Sequence, residues 1–69
     1  MNKLTTIQTF VIFCLEEYKK ELNINGEEAI EVFENYNVFK FLEEYYEVLH
    51  TQSMKYIIDE IKEFIRQRK

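Results

Sequence analysis

The sequence predicts an all-α domain, a compact bundle of about four short helices. Three observations predict it. The chain has no proline and a single glycine, Gly26, too little turn chemistry for a hairpin-built protein. Helix-favouring Glu, Lys, Leu and Ile are abundant. Apolar residues return every three or four positions in four successive segments, each separated from the next by a short polar break.

Length and composition narrow the rest. Sixty-nine residues make one domain, 1–69. A chain of this size buries only about 60% of the surface its unfolded form exposes, so its stability is marginal. Small domains compensate with disulfides, a metal or association. Cys14 is the only cysteine, so no internal disulfide forms. His50 is the only histidine, so no cluster of imidazole and thiolate ligands exists. Rich apolar packing or a partner remains. The composition, 46% hydrophobic and 16% aromatic, supplies the means for either and is not that of a disordered chain.

The first helix is expected over residues 6–22, with Thr5 and Gln8 at the spacing of a capping box. It holds the longest apolar run, Phe10 to Leu15. Six neighbouring apolar residues cover every face of a helix, so this helix is either central in the bundle or partly buried against a partner. Ile7, Val11, Cys14, Leu15, Tyr18 and Leu22 share one face, and Phe10 and Phe13 widen the buried surface. Glu16 and Lys20 form an i,i+4 pair on the wet side.

Asn23-Ile24-Asn25-Gly26 is the clearest turn. Asn25 caps a second helix, 26–35, and Glu28 completes a capping box. Ala29, Ile30, Val32, Phe33 and Tyr36 supply its apolar side. Asn37 caps a third helix, 38–49, whose core stripe is Phe41, Leu42, Tyr45, Val48 and Leu49. After His50, either Thr51 or Ser53 caps a fourth helix, 54–66. Its stripe of Met54, Ile57, Ile58, Ile61, Phe64 and Ile65 is the most regular in the chain. Arg66, Arg68 and Lys69 set cations at its C-terminus, where the helix dipole favours them.

Charge is unevenly spread. The net charge is −4, yet residues 16–47 hold ten acidic and three basic side chains, and residues 48–69 three acidic and five basic. That acidic middle argues against nucleic acid, which selects a basic face. It suits either solvent or a basic protein surface. The C-terminal Arg-Gln-Arg-Lys has too few cations for stable membrane anchoring. The apolar run is far short of the roughly 20 residues of a membrane span and lacks a signal-peptide cleavage site. A cytoplasmic location is expected, in keeping with a lone reduced thiol.

No catalytic residue can be named. Cys14 lies in an apolar run, which raises its pKa and suits a small core residue. His50 reads as a helix-end residue donating to a free carbonyl, with no nucleophile or carboxylate held against it. Adjacent carboxylates such as Glu43-Glu44 point about 100° apart on a helix and do not converge. The Glu spacings match no calcium loop, and no glycine-rich phosphate loop is present. No cofactor and no metal are expected, and the chain reads as non-enzymatic.

The aromatics carry the most information. Five Tyr and six Phe exceed what a four-helix interior of this size can enclose. Tyr36, Phe39, Tyr45 and Tyr46 are the candidates for exposure. With Glu43, Glu44 and Glu47 they make the expected protein interface, since aromatics among acids suit one.

Three segments resemble known sequences: FVIFCLEEYKKELNINGEEAIEVFENYNVFKFL, the Leu49-His50-Thr51 turn, and YIIDEIKEFI. They are similar, over nearly the whole chain, to a family of small bacterial proteins catalogued as a domain of unknown function. Genes of that family often lie beside one for a protein resembling ADP-ribosyltransferases. The resemblance implies an antitoxin-like partner of such an enzyme and supplies no catalytic or ligand-binding residues. The leading expectation is therefore a protein-binding module. The alternative is a self-associating domain, a homodimer that pairs spare apolar surface of the first or fourth helix. A DNA-binding role is disfavoured by the acidic middle and the lack of a basic recognition helix.

Overall fold

Asn2, not Thr5, caps the first helix. In the computed structural model, which describes residues 2–69, the Asn2 side chain accepts the Thr5 N–H at 2.9 Å. Helix α1 therefore starts three residues earlier than the sequence suggested and runs Lys3–Leu22. It ends at Asn23, which takes the left-handed conformation (φ 55°, ψ 49°). There the Ile24 N–H reaches back to the Lys19 carbonyl at 3.1 Å, closing the helix as a Schellman-type ending does.

Helix α2, Gly26–Asn35, opens on the expected capping box. The Asn25 side chain accepts the Glu28 N–H at 2.8 Å, and the Glu28 carboxylate accepts the Asn25 N–H at 3.1 Å. Asn37 does precede the next helix, but through its backbone. It is left-handed (φ 58°) and makes no side-chain cap bond.

The third expected helix is two. Helix α3 spans Val38–Glu44 and α4 spans Tyr46–Leu49, with Tyr45 (φ −103°, ψ 17°) between them. That break alters which residues go inward. Val38, Leu42 and Leu49 are buried and Phe41 is half-buried, whereas Tyr45 and Val48 leave the expected stripe and face solvent. Helix α5, Met54–Arg68, is capped by Ser53, whose hydroxyl accepts the Tyr56 N–H at 3.2 Å. Its stripe lies as expected, with Ile57, Ile58, Ile61 and Ile65 buried and Met54 and Phe64 half-buried.

Helix α1 is central, packing against α2, α3 and α5. Val11, Cys14 and Tyr18 project from it into the core. Phe33, Leu42, Ile57 and Ile61 are the largest fully buried side chains. Phe33 links the layers, lying 5.2 Å from the Tyr18 ring and 5.3 Å from the Phe39 ring between centroids. The surface pairs differ from the expected one. Glu16 holds Lys19 and Glu17 holds Lys20, each at i,i+3, and Lys62 of α5 reaches Glu21 of α1 at 3.3 Å. The domain measures 32 × 22 × 20 Å. Among the described residues no helix is long and apolar enough to cross a membrane.

Candidate protein-binding surface

The break at Tyr45 builds the most exposed apolar ridge of the acidic half. Tyr45 is 51% and Val48 59% exposed. They are three residues apart, and the Val48 N–H donates to the Tyr45 carbonyl at 3.1 Å, so the two side chains rise from one turn. Glu44 and Glu47 flank them, and both are exposed, as is Glu43. Glu44 lies 3.9 Å from Lys40, and Glu47 lies 3.1 Å from Lys3. Such exposed pairs are worth little, so an incoming cation can replace either lysine. Beside the ridge, Lys40, Phe41, Phe64 and Arg68 help line a groove of about 270 Å³ that also includes Glu44 and Tyr45. Phe41 stacks on Phe64 at 4.3 Å, and the Arg68 guanidinium sits 3.6 Å above the Phe64 ring.

The other expected interface residues are dispersed. Tyr46 is half-buried and turned toward α1, its ring edge-on to Phe10 at 5.2 Å. Phe39 is half-buried and packs on Phe33; with Glu43 it lines a different groove. Tyr36 is half-buried at the junction with Tyr18 and Ile65. The structure thus brings Glu44, Tyr45 and Glu47 together, leaves Glu43 of α3 at the groove beside Phe39, and sets Tyr36, Phe39 and Tyr46 into packing contacts. Val48, read from the sequence as core, joins the exposed group.

The groups with chemical potential are occupied structurally. Cys14 is fully buried, and burial pushes its thiol up to about 12. The His50 Nδ1 lies 2.8 Å from the Tyr46 carbonyl oxygen, the helix-end bond expected of it. Burial, and then the proximity of Tyr36, raises the Tyr18 phenol above its ordinary range. Among the described residues no three His, Cys, Asp or Glu side chains are grouped to hold a metal ion.

The family model described as "Protein of unknown function (DUF3791)" matches residues 9–68. The chain belongs to the DUF3791 family. This match spans α1 from Thr9 onward and all four later helices, so the resemblance carried by the FVIFCLE helix, the Leu-His-Thr turn and the closing helix holds across the fold. No curated protein and no solved structure matches the chain.

Proposed function

We propose that this DUF3791 domain is a non-enzymatic protein-binding module of the bacterial cytoplasm, and that its partner resembles an ADP-ribosyltransferase it neutralises in the manner of an antitoxin. One observation carries the binding role: the exposed Tyr45–Val48 ridge flanked by Glu44 and Glu47, with Glu43 exposed nearby on α3. An aromatic anchor inside an acidic rim is the composition that covers a basic protein surface. The identity of the partner rests on the family resemblance alone. Cys14 and His50, the two side chains best suited to covalent or acid–base chemistry, are tied up in packing and in a helix-end hydrogen bond, which favours binding over catalysis.

The test begins with the tagged chain and a native lysate, with captured proteins read by mass spectrometry. The expected result is one stoichiometric, transferase-like partner. Calorimetry on that complex should then show weaker binding for Tyr45→Ala and for the combined Glu43→Lys, Glu44→Lys and Glu47→Lys variant. Unchanged affinity in both would remove this surface from the proposal.

A further inference from the structure

Helices α2 and α5 both pack on α1, and a furrow remains among the three. It consists of two grooves, of about 200 Å³ and about 330 Å³. Tyr18, Leu22, Ile65 and Lys69 line both, so the two run into each other. Ile24 and Val32 continue the apolar lining along the larger groove, while Lys62 and Arg66 line the smaller. The furrow is thus aliphatic toward one end and cationic toward the other. Its larger groove is at the lower end of the size range of small-molecule sites, about 300 Å³ upward.

Tyr18 gives this furrow a polar centre. The residue is only 4% exposed, yet among the described residues its hydroxyl makes no hydrogen bond. No fully buried side-chain polar atom lacks a partner among those residues. The Tyr18 Oη is therefore a part of the side chain that reaches the furrow. It is an O–H donor with no protein acceptor, in surroundings where a donor gains from finding one. Tyr36 lines the larger groove beside it, close enough to add to the effect of burial in raising the Tyr18 phenol.

Charge says what kind of acceptor fits. Lys62 is held by Glu21 and Arg66 by Glu63, whereas Lys69, which lines both grooves, is in no ion pair among the described residues. A free ammonium and a free phenol at the junction of the two grooves suit a carboxylate, which accepts from both. Glu28 and Glu31 stand on the α2 wall of the larger groove. The Glu28 carboxylate is engaged by the Asn25 N–H, and both acids disfavour a second negative charge at that end. The tail of the occupant is therefore uncharged. A helix about 10–12 Å across is too wide to sit within the furrow, but a single alkyl chain is not.

We propose that the furrow between α1, α2 and α5 binds a free aliphatic monocarboxylate of medium chain length, its carboxylate at the Tyr18 hydroxyl and Lys69 and its chain over Leu22, Ile24 and Val32.

Octanoate titrated into the isotopically labelled chain, followed by amide NMR at neutral pH, tests it. No second protein is present and no residue of the Tyr45–Val48 ridge takes part, so the result is independent of the proposed protein-binding role. The expected outcome is shifts that saturate and centre on Leu22, Ile24, Val32, Ile65 and Lys69. Octanol and octylammonium, which keep the chain and lose the carboxylate, should bind about ten-fold more weakly. Tyr18→Phe keeps the packed ring and removes only the unpartnered hydroxyl. It should weaken octanoate about ten-fold while leaving the urea midpoint unchanged, and Lys69→Ala should weaken it too. Shifts that never saturate, or that spread equally over exposed Ile12 and Phe13, would overturn the site. Equal affinity for octanol, or octanoate binding indifferent to both variants, would overturn the carboxylate assignment. Tighter binding of a short acetylated peptide ending in a free leucine carboxylate would overturn the small-molecule occupant in favour of a protein C-terminus.

Discussion

The imidazole of His50 lies flat against the ring of Tyr46, with 4.5 Å between centroids and 11° between planes. Its Nδ1 is meanwhile 2.8 Å from the Tyr46 carbonyl oxygen. Phe10 of α1 meets the same tyrosine edge-on. Tyr46 is thus held between α1 and the end of its own turn, and it is the aromatic tie that fastens the four-residue α4. A helix this short has no independent stability, so it depends on this tie together with the burial of Leu49 in the core.

Replacing His50 by Ala removes the stack and a helix-end hydrogen bond, and should cost about 1 kcal/mol. The effect should be local. Amide exchange in residues 46–49 should quicken more than in the core of α5. Tyr46→Ala, which also loses the Phe10 contact, should cost more. Uniform acceleration across the whole chain would show that α4 does not open separately.

The two left-handed asparagines and the single glycine make opposite predictions about the backbone. Asn37 has a φ of 58°, a conformation that costs a residue with an ordinary Cβ roughly 1 kcal/mol. Asn37→Ala should lower stability by about that amount, and Asn37→Gly should not. Gly26 behaves in the other sense. Its φ is not positive, and a Cβ added there would meet no atom within 4 Å. Gly26→Ala should therefore stabilise by about 0.4–1 kcal/mol, through the reduced freedom of the unfolded chain. Urea midpoints of the three variants check both signs.

Phe33 is the least replaceable core residue. It is fully buried and contacts aromatic rings from α1 and α3. Phe33→Ala should cost about 3–5 kcal/mol, a large share of what a domain this small possesses. Far-UV circular dichroism should show the variant partly or wholly unfolded at room temperature. Ile57→Val, which removes one methyl from an equally buried site, should cost about 1 kcal/mol and leave the fold intact.

These positions also show what was legible before the structure. The Asn25–Glu28 box and the α5 stripe were readable because each is decided within a turn or two of helix. The break at Tyr45 was not. No glycine or proline marks it, and the chain departs from regular helix where Phe41 and Phe10 take up the neighbouring tyrosines. A stripe drawn straight through that point put Val48 inside. Likewise Phe10 to Leu15 announced surplus apolar surface, but only the packing of α2, α3 and α5 around α1 selects Ile12 and Phe13 as the pair left outside. At the acidic surface, composition identified the aromatic and acidic residues, while tertiary packing separated exposed Tyr45 from half-buried Tyr36, Phe39 and Tyr46.

Cys14 predicts an alkaline limit to stability. Its thiol has no exposed surface and is pushed up to about 12 by burial, and the Tyr18 phenol is raised in the same direction. A group whose folded pKa exceeds its unfolded value keeps its proton in the native state after the unfolded chain has lost it. Below the unfolded value the two states bind the same number of protons and stability is complete. Above it the unfolded state binds fewer, so stability falls as pH rises. For Cys14 that window runs from about its ordinary thiol value, near 9, to about 12, with a loss of roughly 1.4 kcal/mol per pH unit. Urea midpoints should hold steady up to about pH 9 and fall steeply above it. Cys14→Ala creates a small cavity and lowers stability at every pH, but it removes the thiol's share of the slope. A less steep decline in the variant assigns that share to Cys14. Parallel declines in the two proteins would place the alkaline limit on Tyr18 instead.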